Sequence, residues 1–304
     1  MKTRDYNAYG ALIAGIISVS FAATFIRLAD AAPVFVAALR MVIASVLLLP
    51  VALASKDFRE RFKLLSMRDA MLLGFSGIFL SMHFFLWISS LSYTGVASSV
   101  ALVATSPLFV ALYSVLVLKE VVSRVFWLGL AISSAGGLIL GGGDIIRGGG
   151  NWAGDVLALG GALAAAGYFL VGSRLRKRMS LLTYIFPVYS VAAIILGILA
   201  LGYGIGSAGL EPKTYLYCFL LALVCQVSGH SLFNYALKSL KATIVTIATL
   251  GEPVGASIIA MLVLRETPSL TQVAGGGCII AGIFIVLYFN PLVVDADLGR
   301  PHMD

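Results

Sequence analysis

Polar side chains embedded in long apolar runs are the residues of this sequence able to do chemistry, because each is costly in hydrocarbon and persists there with a partner or a ligand. Glu252 is the sharpest of them. It immediately precedes Pro253 in the apolar run 242–264. Pro253 lacks an N–H and clashes with the carbonyl of Thr249, which loosens a helix at that point. A carboxylate there holds a substrate ammonium, titrates as a proton site, or hydrogen-bonds a neighbouring helix and fixes the kink. Gln226, His230 and Asn234 recur at i, i+4 and i+8, and His83 and Trp87 are four apart, so helical spacing puts each set on one face. A Gln-His-Asn face suits a cavity or an interhelical seam better than lipid. Trp87 and Tyr168 offer flat walls to a substrate side chain, or helix packing. Arg40, deep in the run 33–54, needs either a substrate carboxylate or helix-end carbonyls. Pro107 and Pro253 are the expected hinges, or else static kinks.

Other chemistries lack their residues. There is no HExxH pair, no nucleophile motif and no GxxxxGK[ST] loop, and His302 lies in a polar tail. We therefore expect no catalytic residues, no metal, no cofactor and no ATP-driven step. An intramembrane enzyme built on His83, His230 and Glu252, or a channel-like protein, is the rival reading. Cys218, Cys225 and Cys278 all fall in apolar runs and read as buried thiols.

The elements that must position these residues follow from composition. The 304 residues are 60% hydrophobic and 12% charged, with a mean hydropathy of +1.00. Soluble domains carry about 25% charged residues, so lipid is the solvent here. Apolar runs of about 20 residues predict helices near 8–28, 33–54, 69–91, 95–118, 122–141, 153–173, 181–203, 214–237, 242–264 and 268–289. These runs are continuous rather than alternating, which argues against a barrel. The first is as long as a full span and ends without a small-residue cleavage pattern, so a removable leader is not expected. The expectation is an all-α integral membrane protein of ten transmembrane helices with short connections.

Sixteen of the 21 basic residues fall in the segments on the N-terminal side of the membrane, among them the Lys56–Arg68 and Arg174–Arg178 clusters. Arg27, Arg147, Lys213 and Arg265 fall on the other side and Arg40 within a span. This bias places both termini in the cytoplasm. It also explains the net charge of +7 without a nucleic-acid partner, since the excess is spread over helix ends.

A shift of 146 residues lays Pro107 on Pro253, Leu116-Val117-Leu118-Lys119-Glu120 on Leu262-Val263-Leu264-Arg265-Glu266, Gly129 on Gly275 and Gly136 on Gly282. Each half then holds five helices, and an odd number inverts the second half in the bilayer. Two inverted five-helix repeats are a transporter architecture. Ser106 is the counterpart of Glu252, so a carboxylate function is asymmetric. Glu120 and Glu266 lie thirteen residues from the prolines, about 20 Å, and are expected at the water interface pairing with helix ends. The glycine runs, such as Gly275-Gly276-Gly277, read as close helix contacts.

Arg40 in Leu-Arg-Met-Val, Pro107 with Glu120 and the Gly129/Gly136 pair, and then Glu252-Pro253-Val254, Arg265-Glu266, Gln272, Gly275 and Gly282, resemble the EamA module of the drug/metabolite transporter superfamily, twice over. Lys119 and Arg265 stand where that family usually has glycine. The resemblance implies a ten-helix carrier of small metabolites, with amino-acid exporters a prominent branch. The expected organisation is one module over 1–146, a second over 147–292 and a polar tail over 293–304. The expected function is export of amino acids or related metabolites across a bacterial inner membrane by alternating access, with a metabolite, drug or nucleotide-sugar exchanger as the alternative. The partners are a small-molecule substrate, lipid and, through Glu252, protons.

Overall fold

The computed structural model describes residues 3–94, 96–119, 122–146, 152–204, 210–265 and 269–289. Expectations for Lys2, Gly95, Glu120, Arg147, Glu266, Pro268 and the 293–304 tail lie outside the described residues.

All the long elements are helical, as apolar runs in lipid require. Among the described residues, eight helices are long and apolar enough to cross a membrane: Tyr6–Ala29, Pro33–Ala54, Met67–Ser90, Ser99–Leu116, Trp152–Arg176, Leu181–Gly202, Pro212–Ala236 and Ala242–Val263. Arg124–Ile139 and Val273–Phe289 are shorter apolar helices. The exterior carries large aliphatic and aromatic side chains, Ile198, Leu262 and Phe284 among them, while Arg40, Gln226 and Asn234 are buried inside. That polarity is the reverse of a water-soluble bundle and fits a chain whose outer surface meets lipid.

Glycine sets the closest packing. In the Arg124–Ile146 and Leu270–Phe289 helices, a Cβ on Gly129 would stand 2.7 Å from the Gly282 carbonyl oxygen, and one on Gly136 would stand 2.6 Å from that of Gly275. Between these two contacts the Ser133 hydroxyl donates to the Ile279 carbonyl at 3.4 Å. Gly161 of the Trp152–Arg176 helix likewise lets the backbone approach Trp87 and His83 of Met67–Ser90. Small residues at such contacts let backbones come together where apolar burial alone gives no net drive.

Five features depart from the simple run of helices read from the sequence. The first span breaks at Phe21, between helices Thr3–Ser20 and Ala22–Ala29. The fourth is two helices, Val96–Val103 and Ser106–Leu116, and the ninth is two, Ala242–Thr249 and Glu252–Leu264. Within the eighth, residues Leu221–His230 form a π-helix between helices Pro212–Leu220 and Ser231–Ala236. Lastly, the charged connection after the second span is itself a helix, Lys56–Lys63. Ser55 caps it by accepting from the Phe58 N–H at 3.2 Å. Lys56–Glu60 and Asp57–Arg61 ion pairs lie one turn apart on its wet face, while Phe58 packs edge-on against Phe186.

Candidate functional site

The two broken helices meet at the centre of the bundle. Pro107 and Pro253 occupy the first turns of Ser106–Leu116 and Glu252–Leu264, where a missing N–H deprives no intrahelical acceptor. The sequence reads them as hinges of broken helices or else as static kinks. Each follows a two-residue break in the regular hydrogen bonding, at 104–105 and 250–251, where Thr105, Leu250 and Gly251 keep right-handed helical angles and the span runs on. Ser106 and Glu252, the first residues of these helices, both line one central cavity. Glu252 itself opens the first turn of Glu252–Leu264. Gly255 brings this helix against Ser20, whose hydroxyl donates to the Ile16 carbonyl at 2.7 Å beside the break in the first span.

The cavity has a volume of about 40 Å³. That is room for a few waters in a contracted chamber. Arg40, His83, Trp87, His230 and Glu252 line it, together with Val19, Ala104, Phe169, Phe233 and Thr249.

Arg40 is 1% exposed and forms no ion pair among the described residues. Its Nε donates to Gln226 Oε1 at 3.1 Å, and its guanidinium carbon lies 3.9 Å from the centroid of the Phe84 ring. The Nη1 group has no hydrogen-bond partner among the described residues. The helix-end carbonyls offered to Arg40 by the sequence reading are thus not its partners; the side chain stays mid-span because an amide and a ring receive it there.

His83 donates from Nδ1 to the Gly161 carbonyl at 3.0 Å, which fixes its tautomer, and its ring stacks on Trp87 with centroids 5.8 Å apart and planes 10° from parallel. It is therefore both a structural and a cavity-facing histidine. His230 stands 6.4 Å from His83 and packs edge-on to Phe84 at 5.3 Å. The Trp87 Nε1–H and His230 Nδ1 lack partners among the described residues.

Gln226, His230 and Asn234 do share one side of the Pro212–Ala236 span, by a route different from a plain α-helix. A π-helix turns less per residue, since its bonds close from i to i+5, and residues four apart across it stay on one face. The wide turn is held by the Gln226 carbonyl, which accepts from the Ser231 N–H and, at 3.4 Å and 3.5 Å, from the Ser231 and Tyr189 hydroxyls. Asn234 points away from the cavity: its Nδ2 donates to Tyr168 Oη and, at 2.7 Å, to the His230 carbonyl. Tyr168 and Asn234 accordingly form a layer behind His230, with the Tyr168 ring 6.3 Å from the histidine. Gln226 reaches the cavity through Arg40.

Arg176, which the sequence counted only among the charges that orient the chain, is buried, with its Nε donating to the Asn234 carbonyl at 2.8 Å and Nη1 to that of Met179. Phe84, Phe169 and Phe233 were not singled out from the sequence either. Nothing local separates them from the phenylalanines that face lipid.

Comparison with known proteins bears on the whole chain. The sequence profile of the EamA-like transporter family matches residues 7–142 and again 152–288. An uncharacterized transporter of Archaeoglobus fulgidus is 33% identical over 90 residues, which cover 27% of this chain and 33% of that protein, so the match spans about a third of the relative's length. A protein solved by crystallography superposes with a TM-score of 0.76 over 94% of this chain and 98% of its own, at 17% identity, a likeness of fold alone.

Proposed function

Because the chain belongs to the EamA-like transporter family, within the drug/metabolite transporter superfamily, we propose that it is a secondary transporter exporting amino acids or related small metabolites across a bacterial inner membrane. The observation that carries this reading is a central, mostly apolar cavity where the helices Ser106–Leu116 and Glu252–Leu264 begin, with Arg40 and Glu252 on its wall. Discontinuous helices whose N-termini face a central site are the expected architecture of an alternating-access carrier. The carrier is read as ten helices in two inverted modules, 1–146 and 147–292, followed by a tail over 293–304. Two features support that symmetry: interruptions at positions 146 apart, and the reciprocal contacts Gly129–Gly282 and Gly136–Gly275, in which each glycine of one half meets the counterpart of the other.

In this mechanism Glu252 receives the substrate ammonium or a proton, and His83, Trp87 and His230 supply the polar and flat walls. Gln226, Tyr168 and Asn234 hold those walls in place. Rocking about the helices that begin at Pro107 and Pro253 opens the chamber to either side.

Flux in proteoliposomes tests the proposal. A saturable, substrate-selective efflux is expected for some members of an amino-acid panel, and dependence on an imposed pH gradient identifies proton coupling. Selective flux of nucleotide sugars or drugs instead would reassign the substrate to the exchanger alternative. Absence of flux for every compound class would remove the transport reading.

A further inference from the structure

We infer that Arg40 and Trp87 form the carboxylate-binding end of the central cavity, and that Gln226 holds the guanidinium in position for it. This deepens the proposed function and rests on that reading for the identity of the substrate, though its own test does not.

Unpartnered donors collect on the cavity wall, at Arg40 and Trp87, and behind it at Gln226. Arg40 Nη1, Trp87 Nε1 and Gln226 Nε2 all carry N–H groups without a partner among the described residues, and all three side chains are more than nine-tenths buried. Arginine and tryptophan side chains can donate and cannot accept, so no rotation of either side chain relieves the surplus. An unpaired buried charge costs several kcal/mol, and one neutral amide plus one aromatic face offset part of that cost. The ligand chemistry that removes the rest is an anion with several acceptor lone pairs. A carboxylate matches the flat fork of a guanidinium and takes two parallel hydrogen bonds from it.

Glu252 lines the same cavity yet forms no ion pair with Arg40. Positive and negative groups held apart in one small chamber complement a ligand that carries both signs on neighbouring atoms. The carboxylate takes the Arg40 end and an ammonium the Glu252 end. Gln226 acts through Arg40: by accepting from Nε it leaves the Nη groups for the ligand.

The test measures binding to the purified protein in detergent, by quenching of tryptophan fluorescence and by thermal shift. The probes are free amino acids, their N-acetyl derivatives, which keep the carboxylate, and their methyl esters, which keep only the ammonium. Free acids and N-acetyl acids should bind the natural protein at least about tenfold more tightly than the esters. Arg40→Lys should shrink that preference severalfold, because an ammonium keeps the charge but cannot form the fork. Should Arg40→Lys fail to fold, Trp87→Phe removes one N–H with little change of shape and should narrow the acid-over-ester ratio. Gln226→Glu supplies the missing anion from within: it should raise the melting temperature and cancel acid binding while leaving ester binding in place, a selectivity change that a merely structural residue does not produce. Equal binding of acids and esters, an unchanged ratio in Arg40→Lys, or no binding by any acid overturns the inference. Ester-independent flux with no acid preference fells the clamp and leaves the exporter, whereas acid binding without flux fells the exporter and leaves the clamp.

Discussion

Glu252 opens its helix on the wall of the central cavity and is the one acidic side chain among the described residues that line it, with Arg40 on the same wall. Glu252→Gln keeps the side-chain size and shape while removing the charge. Flux should fall by about tenfold or more, as expected for a functional intramembrane carboxylate, with little change in melting temperature. Wild-type rates in the folded variant would leave Glu252 a structural role alone. Asn234 is the contrasting case, since its side chain bonds Tyr168 and the His230 carbonyl behind the cavity. Asn234→Leu removes the bonds to the Tyr168 hydroxyl and the His230 carbonyl and should destabilise the fold by about 1–3 kcal/mol, measured by thermal unfolding, with a smaller effect on substrate selectivity. These two residues also show what is legible in a sequence. A polar side chain in an apolar run declares itself whatever surrounds it, so Arg40, His83, Trp87, His230 and Glu252 could be named in advance. The direction in which Asn234 points depends on Tyr168, 66 positions away in the chain, and no local signal carries that.

At the scale of elements, apolar runs locate the helices because hydrocarbon thickness fixes their length, whereas interruptions within a run depend on tertiary support. Proline at 107 and 253 signalled the two central breaks, but the π-helix at Leu221–His230 has no proline and is held by the Tyr189 and Ser231 hydroxyls on the Gln226 carbonyl. Nor did the charged stretch after the second span disclose the Lys56–Lys63 helix, whose capping serine and one-turn ion pairs were the available signal. There the Arg61 side chain, bonded to Asp57, holds its carboxyl below the usual range. A lowered carboxyl favours this helix above the ordinary carboxylate range and ceases to do so as pH falls through its folded value. The prolines give the element-scale prediction. Replacing both Pro107 and Pro253 by Ala lets each span close into a continuous helix, which should slow interconversion and lower maximal flux by about tenfold with substrate affinity changed far less. Equal losses in both quantities would mean that the prolines shape the binding site rather than its movement. The glycine seam answers to a different test. Gly282→Val places side-chain atoms against the Gly129 carbonyl and the Ser133 backbone and should destabilise by about 1–3 kcal/mol or more. Gly197→Ala, which meets open space, should be neutral or slightly stabilising.

At the scale of the whole molecule, charge is sorted by end. Arg178 pairs with Asp69 at 3.0 Å, and Asp57 is close enough to interact with Lys238, so connections far apart in the chain gather at one end of the bundle. Thr214 donates to the Ala29 carbonyl at 2.7 Å, and Lys213 pairs with Glu211 while feeling Asp30, which gathers a different set of connections. The first set carries most of the basic residues read from the sequence, and basic residues are retained on the cytoplasmic side during insertion. Single cysteines at Lys63 and Lys238 should therefore be shielded from a membrane-impermeant maleimide added to intact cells, and cysteines at Asp30 and Glu211 should be labelled. All four positions are exposed, so access depends on the membrane and not on packing. Of the native thiols, Cys218 and Cys225 are buried and only Cys278 is partly accessible, which makes a Cys278→Ser background sufficient for the measurement. Labelling of both sets at once from outside would contradict a single orientation, and labelling of Lys63 and Lys238 alone would invert the protein and turn the proposed exporter to face the other way.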